Sequence, residues 1–153
     1  MNPTLLSNSK KKKILNQLEK SYGINELKYL VIETGKGKYR IYSGSLSREE
    51  INELGKNLNL EIIGERFAKI DLEKPRINFD ALNLPEIKSQ LKEKVIEISD
   101  KEVKNWMAGE NLDKEISEEG FVVIKNKGDI LGSGQNRRTF IQNYVPKERR
   151  VRK

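Results

Sequence analysis

Apolar residues at Ile14, Leu15 and Leu18, with Tyr22 extending the stripe, predict a helix over Lys10–Tyr22, and Gly23 is its stop signal. Leu27–Glu33 and Lys38–Ser43 then read as two strands around Gly35-Lys36-Gly37. The second arm alternates Tyr39 and Ile41 with Arg40 and Tyr42, so one face is expected to be wet. Ser47 and Glu50 have capping-box spacing, and Ile51, Leu54 and Leu58 form the apolar stripe of a helix running to about Leu58. Leu60–Asp71 is strand-like through Ile62, Ile63, Phe67 and Ile70, with Gly64 marking a bulge or bend. "KPRINFDALNL" continues as an edge strand and turn, with Pro75 tolerated at a strand start.

The last third has a different rhythm. A strand near Lys94 precedes a second capping box, Ser99 with Glu102, which starts a helix at about Asp100. Val103, Trp106 and Met107 share its apolar face, placing Trp106 in the core, and Gly109 ends it. Phe121–Ile124 is a continuous β-branched run, a buried strand. Asn126-Lys127-Gly128 turns it back into Ile130–Gly134, where Gly132 and Gly134 let another backbone come close. The expected class is α+β. Residues 1–8 are read as an unanchored end, 9–84 as an antiparallel sheet with two helices, 85–93 as a link, and 94–153 as a small β module.

Composition narrows the function more than the fold. Apolar and charged residues each make up 35% of the 153, which suits two small modules sharing an interface. The chain has no Cys and no His, so Cys/His zinc sites, thiol catalysis, imidazole acid–base chemistry and Ser-His-Asp hydrolysis are excluded. The lack of cysteine fits a cytoplasmic protein, and no run of about 18 apolar residues predicts a membrane span. No apolar segment follows Lys10–Lys13, as a secretory signal would require. Abundant Lys, Glu and Ile hint at a thermophilic source.

The net charge of +7 is unevenly placed. Residues 92–120 hold five basic and nine acidic side chains, whereas 121–153 hold nine basic and two acidic. A concentrated basic strip on a folded module is the footprint of a polyanion partner. Gly35-Lys36-Gly37 lacks the spacing of a phosphate loop and is read as a turn. Glu49/Glu50 and Glu118/Glu119 are adjacent in sequence and read as solvated surface, not as catalytic pairs. No cofactor, metal or catalytic residue is expected.

A family resemblance adds to this reading. "VKNWMAGENLDKE" and "EEGFVVIKNKGDILGSG" resemble a PUA domain, a small β-barrel-like module of RNA-modification and ribosome-assembly proteins. The ending "IQNYVPKERR" is similar to the close of the RNA-binding domain of RsmF/Sun-type rRNA cytosine-5 methyltransferases, with their Asn-x-x-Pro-Lys element. The two-part layout also resembles the Nip-seven family of ribosome-biogenesis factors. These resemblances imply RNA contacts, to rRNA or tRNA, at Arg137, Arg138, Asn143, Lys147, Arg149 and Arg150. Gly132 and Gly134 either admit a sugar-phosphate backbone or fit a crowded barrel corner. Tyr144 and Phe140 either stack on bases or join the core, with core favoured for Phe140. A cytosine-5 methyltransferase would need a cofactor domain and a nucleophilic Cys, and both are missing. The expected role is a non-catalytic RNA-binding protein in rRNA maturation, ribosome biogenesis or RNA modification. The alternative is an adaptor whose acidic segment Asp100–Glu119 and N-terminal sheet dock an RNA methyltransferase or assembly factor.

Overall fold

The computed structural model describes residues 3–56 and 64–152. Leu58, Leu60, Ile62 and Ile63, assigned above to a helix end and a strand start, lie outside the described residues. The N-terminal half is a five-stranded antiparallel sheet in chain order: β1 (Thr4–Leu5), β2 (Leu30–Gly35), β3 (Lys38–Tyr42), β4 (Glu65–Asp71) and β5 (Lys74–Ile77). Helix α1 (Asn8–Tyr22) starts on the Ser7 cap and stops at Gly23, whose φ of 85° is the left-handed conformation glycine adopts freely. Helix α2 (Arg48–Gly55) carries the complete Ser47/Glu50 capping box. The start of the chain is anchored, against the expectation of a loose end: Thr4 and Leu5 pair with β2, and Leu6 is buried. That burial repays the cost of ordering the segment.

Strand alternation sorts this sheet into two faces. Val31, Ile41, Phe67 and Ile77 join Ile14, Leu18 and Tyr22 of α1 in the main core. On the other face, Ile32 of β2 packs against Ile51 of α2. Arg40 is the register partner of Ile32 and so shares its face, where the cluster around Ile51 reaches as far as Tyr42 at the end of β3. Among the described residues, one face is therefore closed and the other covered at its β2 end, an arrangement antiparallel sheets tolerate.

After β5 the chain makes two short helices, α3 (Phe79–Leu82) and α4 (Pro85–Lys88). Residues 85–93, read as a link, are thus partly helical, and Ile87 is fully buried. A second sheet follows, ordered β6 (Val95–Glu97), β7 (Phe121–Asn126), β8 (Asp129–Asn136) and β9 (Ile141–Asn143). Its first pair is parallel, and α5 (Asp100–Met107) lies in the crossover that parallel strands require. Val122 and Ile124 of β7 face the cluster around Trp106, while Val123 faces the N-terminal core. Burial on both faces explains why this strand reads as an unbroken apolar run. The two halves consequently share a core, with Val123 and Ile130 packed among N-terminal residues. Two polar bonds reinforce the seam: Ser133 Oγ donates to the Ile77 carbonyl at 3.0 Å and Asn83 Nδ2 to the Ile130 carbonyl at 3.3 Å.

Candidate nucleic-acid interface

Several residues named from the sequence face inward. Asn143 is 9% exposed. Its Nδ2 donates to the carbonyls of Trp106 at 2.7 Å and Glu110 at 2.9 Å, and its Oδ1 accepts the Val145 N–H at 2.7 Å. It ties the end of α5 to the chain after β9, so the side chain expected to meet RNA is engaged within the protein. Gly132 and Gly134 need the same correction, because both are buried. A Cβ at Gly132 would stand 2.9 Å from the Phe79 ring, and one at Gly134 would stand 2.5 Å from Ile141 Cγ2. These glycines admit neighbouring protein, so the crowded-corner reading holds. Trp106 is fully buried, with Nε1 donating to the Leu131 carbonyl at 2.6 Å. Phe140 is half-buried.

The exposed cations fall at two ends of the β8–β9 hairpin. Arg137 and Arg138 occupy its tip, beyond the Asn136↔Ile141 pair. Asn136 holds that tip, accepting the Arg138 N–H at 2.8 Å through Oδ1 and donating to the Glu118 carbonyl at 2.7 Å through Nδ2. These bonds offset the left-handed φ of 75° at Arg138, which costs a non-glycine residue roughly 1–2 kcal/mol. Arg137 Nε donates to Gln142 Oε1 at 2.8 Å. Lys147, Arg149 and Arg150 follow the other end, in and after a 3-10 turn (Lys147–Arg149). Hairpin register puts the two clusters on the order of 10–15 Å apart at about 3.4 Å per residue, so they form two patches instead of one ridge. Arg149 forms a two-pronged pair with Asp80, Nε to Oδ1 at 3.0 Å and Nη2 to Oδ2 at 2.9 Å, and the carboxylate raises its pKa further. Arg150 Nε donates to the Val145 carbonyl at 3.1 Å. Tyr144 is half-buried, edge-on to Phe121 with ring centres 5.8 Å apart, and its hydroxyl is 2.8 Å from Gln135 Oε1.

Residues 93–151 match the family model of the methyltransferase RsmF PUA domain. The C-terminal module is a PUA domain. Among curated proteins, none matches the chain at a significant level. The PUA match spans less than half of the chain and does not show the expected likeness to the Nip-seven factors.

Three carboxylates of the acidic stretch before the PUA glycine strand are engaged within the domain. Asp100 pairs with Lys127 at 3.1 Å, Glu102 with Lys114 at 3.2 Å, and Glu97 accepts the Lys127 N–H at 2.6 Å. The Ser99 N–H, first, and then Lys114 hold the Glu102 carboxyl below the usual range. Hydrogen bonds from Asn126 and Lys127 lower Asp100 in the same way.

A second cationic surface lies among residues that were not expected from the sequence to meet RNA. The half of the N-terminal sheet that α2 leaves open forms a groove lined by Lys38, Arg40, Arg66, Lys69 and Arg76. Register sets them side by side: Lys38 opposite Lys69, Arg40 opposite Arg66, and Lys69 opposite Arg76. The groove continues past Asn78 towards Tyr144 and Arg149 of the PUA domain, where Glu65, Asp80 and Glu148 also line it. Arg76 joins the two parts, its guanidinium 4.9 Å from the Tyr144 ring centre and 6.0 Å from that of Phe121. The face of Tyr144 considered for base stacking is therefore occupied by Arg76. A sequence signal for this surface existed in the repeated Lys-x-Arg-Ile of β3 and β5, whose period of two puts both cations of each strand on one face. Among the described residues, no group of three or more metal-ligating side chains comes together, and no helix is long and apolar enough to cross a membrane.

Proposed function

We propose that this protein is a non-catalytic RNA-binding protein of the cytoplasm, acting in rRNA maturation or RNA modification beside a separate enzyme. The PUA domain, of the kind that accompanies an RNA methyltransferase, carries this reading. The rigid hairpin tip presenting Arg137 and Arg138 supports it, since a guanidinium offers phosphate a planar pair of donors. The adaptor reading has less behind it, because Asp100 and Glu102, at the start of its acidic segment, already hold internal partners.

Electrophoretic shift with single-stranded and structured RNA at low salt tests the proposal. If four of the basic side chains each neutralise a phosphate, log affinity falls with log salt at a slope of about −3, at ~0.7 per contact. A slope near zero, with stable co-purification of a protein partner, selects the adaptor. Crosslinking in the native cell followed by sequencing of the bound RNA tests the assignment to rRNA. Charge reversal at Arg137, Arg138, Lys147 and Arg149 is expected to remove the crosslinks.

A further inference from the structure

We infer that the open face of the N-terminal sheet, through Lys38, Arg40, Arg66, Lys69 and Arg76, is a track for the sugar-phosphate backbone of RNA that leads onto the PUA domain at Tyr144. The inference rests on the RNA-binding reading and extends it to a surface the PUA match does not cover.

Charge density is the first reason. Neighbouring strands are about 4.8 Å apart and alternate residues about 6.8 Å, so five cations share a patch of roughly 10 by 7 Å. Like charges directly opposite one another destabilise a sheet, and here the opposed pairs are Arg40–Arg66 and Lys38–Lys69. Arg40 is held in place by a bond from its Nη2 to the Gly64 carbonyl at 2.7 Å, but Lys38 opposite Lys69 has no such bond among the described residues, and a polyanion lying across the strands accounts for that pair. Among the described residues, no ion pair involves Lys38, Arg66, Lys69 or Arg76. Lys38, Arg66 and Lys69 are exposed, and Arg40 and Arg76 are half-buried.

Chemistry then selects the polyanion. A docked protein is expected to meet an apolar centre, and the groove lining has little beyond Tyr39 and Ala68. An anionic membrane is disfavoured by the nearest protruding apolar side chain, Leu72 in the β4–β5 turn, which is flanked by Asp71 and Glu73. Three of the five cations are arginines, whose fork fits phosphate oxygens. The groove also runs without a break in its lining into the PUA domain, because Arg40, Arg66, Arg76 and Asn78 line both of its parts.

The test compares two triple variants of equal charge change, using a labelled mixed-sequence single-stranded 30-nucleotide RNA. Lys38→Gln/Arg66→Gln/Lys69→Gln empties the sheet face. Lys10→Gln/Lys12→Gln/Lys13→Gln removes exposed lysines from α1, whose buried side packs on the opposite face of the sheet. The sheet variant is expected to lose about 2 from the magnitude of the salt slope, and so roughly tenfold to a hundredfold in affinity at 0.1 M salt, while the α1 variant stays near wild type. Wild-type binding with an unchanged sheet variant overturns the track and leaves the RNA-binding reading standing. No RNA binding by the wild type, or retention on phosphatidylserine vesicles in its place, overturns both. Should the sheet variant not fold, lysine acetylation of the wild type decides: RNA protects Lys38 and Lys69 if the track is right, and leaves them as reactive as Lys12 if it is wrong.

Discussion

Asn143 and Arg66 both sit on short strands beside polar neighbours, yet their side chains meet opposite surroundings. Asn143 turns inward and satisfies three backbone groups, while Arg66 stands on an open sheet face opposite another arginine. The difference lies in what covers each sheet. The PUA sheet has the Trp106 cluster on one side and the N-terminal core on the other, so its polar side chains must bond internally. The N-terminal sheet packs on the main core on one side, and on the other Lys38, Arg66 and Lys69 are exposed. Polar residues in the first setting serve stability, and those in the second are available to a partner.

The largest effect that tests this contrast is expected from Asn143→Ala. Losing the partners of the Val145 N–H and the Glu110 carbonyl costs about 1–3 kcal/mol for each group left unsatisfied, while the Trp106 carbonyl keeps the Gly109 N–H, so a loss of at least ~2 kcal/mol in urea denaturation is expected. A cost within error of zero would mean that Asn143 is free for RNA after all. Gly132→Ala follows at about 1–3 kcal/mol, from a Cβ 2.9 Å from the Phe79 ring at a φ of +98°. Arg66→Gln has the opposite sign: relieving the Arg40–Arg66 opposition should raise stability by roughly 0.2–1 kcal/mol in the absence of RNA. Reduced stability in that variant would remove the strain argument for the track. The smallest effect is an acid-range one. Because the folded pKa of Glu102 is depressed, its contribution is present above the unfolded glutamate range and is lost as pH falls through the folded value. The advantage of wild type over Glu102→Gln, followed by thermal melts, should therefore be full at neutral pH and vanish in acid. The same difference at both pH values would rule out the ionised carboxylate as its source.

Local signals decided a good part of the fold before any packing was considered. Ser47/Glu50 and Ser99/Glu102 marked both helix starts, and Gly23 and Gly109 marked helix ends, because these devices satisfy backbone groups within a few residues. The Phe121–Ile124 run declared a strand buried on both sides. The helix–glycine loop, the Gly-x-Gly hairpin and the closing motif carried the PUA resemblance. Anchoring of Leu6, closure of Gly132 against Phe79 and the capture of Arg149 by Asp80 were invisible, since each joins residues far apart in sequence.

By itself, then, the order of residues determined where helices and strands begin, that no thiol or imidazole chemistry is available, and that the chain ends in a basic module. Only the tertiary structure decided which polar side chains are consumed internally and which face water. It also assembled Lys38, Arg40, Arg66, Lys69 and Arg76, scattered over three strands, into one surface. Local hydrogen bonding is encoded within one helical turn or one strand pair, whereas exposure depends on whatever packs over each face, and that contact comes from elsewhere in the chain.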